Sequence, residues 1–109
     1  MTQAISIKIM SLWDCSLHEY SVLTDRVDPK EILDQVFLHQ QDDDKMVPNL
    51  PSLSAGDVVI MDQVAFLCAG SGWAKLELVT FLKWLNSTPT HRMLDAGRLR
   101  VPRDSYPTV

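Results

Sequence analysis

Along residues 5–9 the apolar side chains Ile5, Ile7 and Ile9 alternate with Ser6 and Lys8, the two-residue period of a strand with one buried face. Trp13 closes this run, Asp14–His18 is polar enough to turn, and EYSVLT at 19–24 alternates again through Tyr20, Val22 and Thr24. The two runs predict a β-hairpin. The period then changes. In VDPKEILDQVFLHQ (27–40), Ile32, Leu33, Val36 and Phe37 fall on one side of a helix, while Lys30, Asp34 and Gln41 fall on the other. Asp28 suits the N-cap, Pro29 the first helical position, and Glu31 the third, as a capping-box variant. Val27 and Ile32 stand where a hydrophobic staple would close.

Residues 41–55, QDDDKMVPNLPSLSA, read as a loop, because Pro48 and Pro51 deny backbone donors to a helix or strand. Gly56-Asp57 then leads into VVIM (58–61), Asp62-Gln63 breaks the run, and VAFLCA (64–69) returns. Asp takes the left-handed conformation of a tight hairpin turn, and Gln does so less readily than Gly. The alternation assigns Val58, Ile60, Phe66 and Cys68 to one face, and Val59, Met61, Ala65 and Leu67 to the other. Strands apolar on both faces belong in the middle of a sheet. Gly70-Ser71-Gly72 is expected to release the chain from the sheet before Trp73. Between Leu76 and Leu85 only Glu77, Thr80 and Lys83 are polar, a narrow stripe on a helix, although a strand over LELVTF fits the same run. Asn86 marks a stop. Thr88-Pro89 and Gly97 frame a short helix, RLRV (98–101) suits an edge strand, and Pro102 and Pro107 are expected to end ordered structure. The expected fold is α+β, a small antiparallel sheet of about four or five strands packed against two or three helices.

With 46% hydrophobic and 22% charged residues in a chain of 109, the composition argues against disorder throughout, and a single domain spanning 1–109 is expected. The net charge of −4 is uneven. Residues 1–87 carry 6 basic and 12 acidic side chains, whereas 88–109 carry Arg92, Arg98, Arg100 and Arg103 against Asp95 and Asp104. Residues 88–109 are therefore read as a basic, partly ordered C-terminal extension. An acidic body argues against a dedicated binder of phosphate backbones. Two cysteines, Cys15 and Cys68, make no disulfide framework. No signal-peptide pattern and no apolar window of about 18 residues is found, so no membrane partner is expected and the cytoplasm of a bacterial host is the expected compartment.

Candidate chemistry is sparse. Asp14-Cys15-Ser16-Leu17-His18 holds the ingredients of a nucleophilic triad, but within five residues, whereas working triads draw members from distant parts of a fold. The Asp42–Asp44 run lacks the every-second-residue spacing of a calcium loop, and Cys15/His18 has no second ligand pair for zinc. No phosphate-cradling loop is present. No catalytic residue, metal site or cofactor is assigned. Binding is favoured instead. Trp suits interaction hot spots, and Trp73, following Gly-Ser-Gly, is expected to be partly exposed.

The stretch SLSAGDVVIMDQVAFLCAGSGWAKLE (52–77) resembles the YodL-like domain of proteins from phages, plasmids and conjugative elements. The resemblance rests on Ser52, Leu53, Ser54, Gly56, Asp57, Val58 and Val59, followed after the hairpin by Gly72 and Trp73. It covers about a quarter of the chain. It implies a mobile-element or phage origin and no transferable catalytic activity. Together these readings predict a non-enzymatic protein that binds a host or element-encoded protein, as an inhibitor or regulator. Its candidate contacts are Trp73, Asp42, Asp43, Asp44, Arg92, Arg98, Arg100 and Arg103. The alternative is a nucleic-acid-binding module that uses the hairpin sheet and the arginine tail. Mimicry of nucleic acid by the acidic surface is a third reading, an enzyme the last, and a homodimer is compatible with the apolar composition.

Overall fold

The alternating residues of the first 24 positions form two eight-residue strands, β1 (Gln3–Met10) and β2 (Leu17–Thr24), paired antiparallel with Ile7 opposite Tyr20. These and the later strands come from a computed structural model that describes residues 2–41, 45, 48, 50–101 and 107–109. Among the described residues β3 (Val58–Met61), β4 (Val64–Cys68) and β5 (Trp73–Lys75) complete an antiparallel sheet in the order β2-β1-β3-β4-β5. Three helices pack against it, α1 (Pro29–His39), α2 (Leu78–Leu85) and α3 (Pro89–Arg98). The chain is α+β, as expected.

The apolar VVIM run occupies the centre of the sheet because both of its faces are covered. On one face Ile7, Ile9, Val22, Val59, Met61, Phe66 and Cys68 pack against Ile32, Leu33 and Val36 of α1. On the other, Val58 and Leu67 pack against Trp84 of α2 and Ala96 of α3. The faces of β4 are the reverse of those the alternation predicts. Asp62 and Gln63, with φ of 51° and 64°, form a two-residue turn that sets Met61 opposite Val64 and Val59 opposite Phe66. Phe66 and Cys68 therefore share a face with Val59 and Met61, not with Val58 and Ile60. Two left-handed residues preserve the register that an Asp-Gly turn would give.

The start of α1 follows the sequence, with Pro29 in its first turn and the Asp28 carboxylate accepting from the Lys30 amide at 3.1 Å. The staple does not form. Val27 is 84% exposed while Ile32 is buried, and Glu31 faces Arg26 at 3.6 Å.

Gly70-Ser71-Gly72 does not release the chain from the sheet. The Ala69 amide donates to the Gly72 carbonyl at 2.8 Å, and the chain turns back to pair Cys68 with Trp73. Residues 73–75 are a strand, so α2 begins at Leu78, and LELVTF is helical from Leu78 onward. RLRV is not an edge strand. The helix runs through Gly97 to Arg98, and the Val101 amide donates to Ser71 Oγ. The edge beside β5 is taken instead by the C-terminus, where Lys75 bonds Pro107 and Val109 and Thr108 bridges in parallel. Pro107 thus does not end the ordered chain. Residues 89–98 are integral to the fold as α3, since Arg92 and Ala96 are buried.

Candidate interaction surfaces

Residues Ser54–Asp57 form a buried polar knot. Asp57 Oδ1 accepts from the Leu12 amide at 2.8 Å, and Oδ2 accepts from the Ser54 amide at 3.0 Å. The carbonyl of Gly56 accepts from Trp84 Nε1 at 2.7 Å. From α3, Arg92 donates to the carbonyls of Leu12 (2.6 Å), Trp84 (2.8 Å) and Leu85 (2.9 Å), and its guanidinium lies 4.7 Å from the Trp84 ring centroid. The Leu12 peptide is thus gripped at both its amide and its carbonyl. Gly56, at φ 108°, has no room for a side chain, since a Cβ would meet the Arg92 carbonyl at 3.0 Å. Gly70 allows an equally close approach, with its amide on the Ala96 carbonyl at 2.9 Å and a Cβ position only 2.4 Å from the Gly97 carbonyl.

Burial raises the Asp57 carboxyl above its ordinary range, against the two amides that pull it down. Its acceptors hold two loops at once. Asp57→Asn is expected to destabilise the protein by about 1–3 kcal/mol, because one of the two amides then faces an NH₂ group instead of an oxygen. Urea unfolding checks this, and a change below about 0.5 kcal/mol would mean that water replaces the carboxylate.

The structure takes two expected contacts off the surface. Trp73 is only 3% exposed and donates through Nε1 to Asp34 Oδ1 at 3.2 Å, because the β4–β5 turn carries it into the core beside α1. Arg92 is 7% exposed and belongs to the knot. Arg98 and Arg100 are exposed, with Arg100 bonded to the Gly97 carbonyl at 3.0 Å. Asp42, Asp43, Asp44 and Arg103 lie outside the described residues. The tail arginines are therefore not gathered into one described cationic face. The tryptophan on the surface is Trp13, 48% exposed.

In the loop beside Trp13, Ser16 Oγ lies 2.9 Å from His18 Nε2, and Asp14 Oδ1 accepts from the Ser16 amide at 3.0 Å. Hydrogen bonds from Ser16, with the nearby His18 adding to them, lower the Asp14 carboxyl. The carboxylate stands on the serine side of the pair rather than behind the imidazole, where a triad needs it to orient the ring. Among the described residues no cluster of three His, Cys, Asp or Glu side chains is placed to hold a metal ion, and no helix is long and apolar enough to cross a membrane.

Comparison with known proteins finds no matching family, no matching curated protein and no matching solved structure.

Two surfaces that sequence reasoning did not single out remain. The first is α2. Only Trp84 of this helix is buried, while Leu78, Val79 and Leu82 are 71%, 62% and 48% exposed on one side. The adjoining recess, about 410 Å³, is lined by Ile60, Val64, Ala65, Leu76 and Phe81. A sequence signal existed, because a helix covering one face of a sheet needs a broader polar side than Glu77, Thr80 and Lys83 supply. The second is the free edge of β2. It borders an open groove of about 560 Å³ lined by Leu23, Arg26, Glu31, Asp34, Gln35 and Leu38.

Proposed function

We propose that this chain is a non-enzymatic interaction protein of a phage or other mobile element, acting in the bacterial cytoplasm by binding a host or element-encoded protein as an inhibitor or regulator. The observation that carries the reading is the outer side of α2. Three large aliphatic side chains stand in water on one short helix, beside a recess whose lining is apolar except for Gln63. Leaving such a patch uncovered sacrifices burial worth about 25 cal/mol per Å², and patches of this kind mark protein contacts. The partner it fits presents an apolar groove able to take Leu78, Val79 and Leu82 as anchors, in the helix-in-groove mode. The exposed Glu77 and Lys83 at the two ends of the helix supply polar rim contacts of opposite sign. Provenance rests on the resemblance of residues 52–77 to YodL-like domains.

The test is capture from bacterial lysate by the tagged protein, with and without nuclease, alongside Leu78→Lys/Leu82→Lys. Both positions are exposed, so the double variant is expected to keep the wild-type melting temperature within a few degrees. A partner that survives nuclease and is lost by the variant supports the reading. Recovery that disappears with nuclease transfers it to nucleic acid through Arg98 and Arg100. A partner that binds wild type and variant equally removes α2 from the contact.

A further inference from the structure

The two edges of the sheet are treated differently. At the β5 end the strand is three residues long, and the segment 107–109 covers its end with two backbone hydrogen bonds to Lys75 and one from Glu77. At the other end, β2 presents eight residues, LHEYSVLT, with β1 as its only strand neighbour among the described residues; on its outer edge Gln35 Nε2 donates to the Leu23 carbonyl at 3.3 Å, a side-chain bond that a pairing strand displaces. An edge strand is normally blunted by Lys, Pro or a short span. This one has no Lys, no Pro and a single carboxylate.

We propose that β2 pairs with β2 of a second copy, antiparallel about a two-fold axis through Tyr20, to join two sheets into one of ten strands. The pattern along β2 chooses both the occupant and the register. Its outward-facing residues are Leu17, Glu19, Ser21 and Leu23, all exposed, and their order has the same polarity read from either end. A two-fold axis perpendicular to the sheet must pass through a residue, because only then do opposed side chains share a face. Placed at Tyr20, it sets Leu17 against the partner's Leu23 at both ends and Glu19 against the partner's Ser21 between them. The two Leu pairs cover side chains that are 51% and 70% exposed in the single chain. On the opposite face the two Tyr20 rings become a cross-strand aromatic pair. An axis at Glu19 would oppose two carboxylates directly, and an axis at Ser21 would set Glu19 against Leu23. A foreign strand has no reason to match this palindrome, whereas a second copy matches it by construction. The joined sheet carries both α1 helices on one face and both α2 helices on the other, so two apolar α2 surfaces point to the same side.

Sedimentation equilibrium of the intact protein tests the pairing, with Ser21→Glu and Ser21→Lys as paired variants. Ser21 is exposed and faces Ser6 within the chain, so neither substitution is expected to change folding, and circular dichroism melting verifies that. The wild type is expected to approach twice the 12.3 kDa chain mass as concentration rises. Ser21→Glu places two pairs of opposed carboxylates across the axis and is expected to weaken the dimer about tenfold. Ser21→Lys places a cation opposite each Glu19 and is expected to tighten it by a similar factor, in low salt. A chain that stays monomeric throughout, or a dimer indifferent to the sign of the charge at position 21, overturns the proposal.

Discussion

Arg92→Ala is expected to cost about 4–5 kcal/mol of folding stability, which for a chain of this size is a large share of the roughly 5–15 kcal/mol total. The guanidinium satisfies three carbonyls at once, those of Leu12, Trp84 and Leu85, from a position 7% exposed. Trp84 and Leu85 lie at the C-terminal end of α2, where a helix leaves carbonyls unpaired and carries partial negative charge. The cation therefore finds its compensation in a helix end, a loop carbonyl and the face of Trp84. Alanine removes the donors. The Trp84 carbonyl keeps the Ser87 amide at 3.1 Å, whereas the carbonyls of Leu12 and Leu85 lose the partner Arg92 gives them, and each such loss costs about 1–3 kcal/mol. Arg92→Lys should recover little, since one ammonium cannot span three divergent acceptors. Urea unfolding followed by tryptophan fluorescence measures the effect, and Trp84 lies directly beneath the substitution. A loss under about 1 kcal/mol would mean that α2 and α3 are held to the sheet by apolar contact alone.

The second large effect is expected in alkali. Burial, reinforced by the neighbouring charge of Asp57, raises the Cys68 thiol from its ordinary 9.0 to about 12, and burial alone raises the Tyr20 phenol from 10.0 to about 12. The folded state therefore binds both protons more tightly than the unfolded chain does. Stability from these groups is complete below pH 9, and it is lost progressively as pH climbs through 9 and 10 toward 12. For Cys68 the three-unit difference corresponds to roughly 4 kcal/mol at full development. Tyr20 contributes less, because its ring is partly in contact with solvent. The unfolding midpoint should fall steeply between pH 9 and 12, and Cys68→Ala should flatten that fall despite lowering stability at pH 7. An unchanged slope in the variant would show that the thiol reaches water in the folded state.

Much of the fold was legible because it depends on local periodicity. The Ile5-Ile7-Ile9 alternation, the Asp28-Pro29 helix start and the two-faced VVIM strand each express their burial in the spacing of apolar residues, and each stands where the pattern predicts. The face assignment of β4 failed for a physical reason. The expectation carries the even-odd alternation of β3 straight through the turn, whereas a two-residue turn at Asp62-Gln63 pairs Met61 with Val64 and so exchanges odd and even positions between faces. β5 was missed because three residues carry no measurable period, and its partners, Cys68 on one side and Thr108 on the other, are fixed by tertiary contact.

The candidate site was less legible than the fold. The flexible Gly-Ser-Gly flank points to partial exposure of Trp73, yet a hairpin turn and the Asp34 carboxylate draw it inside. Arg92 was grouped with a basic tail by charge count, whereas in the structure it is the centre of the polar knot. Charge in a sequence does not say whether a cation meets water or a helix end. By itself the sequence determined the class of the fold, the core strands and the helix starts, because these follow from short-range spacing and capping. Only the tertiary structure decided which edge stays open, which helix face lacks cover, and that Gly56-Asp57 serves to join α2 and α3 to the sheet. Those outcomes depend on contacts such as Leu12 with Arg92, eighty residues apart, which no local pattern encodes.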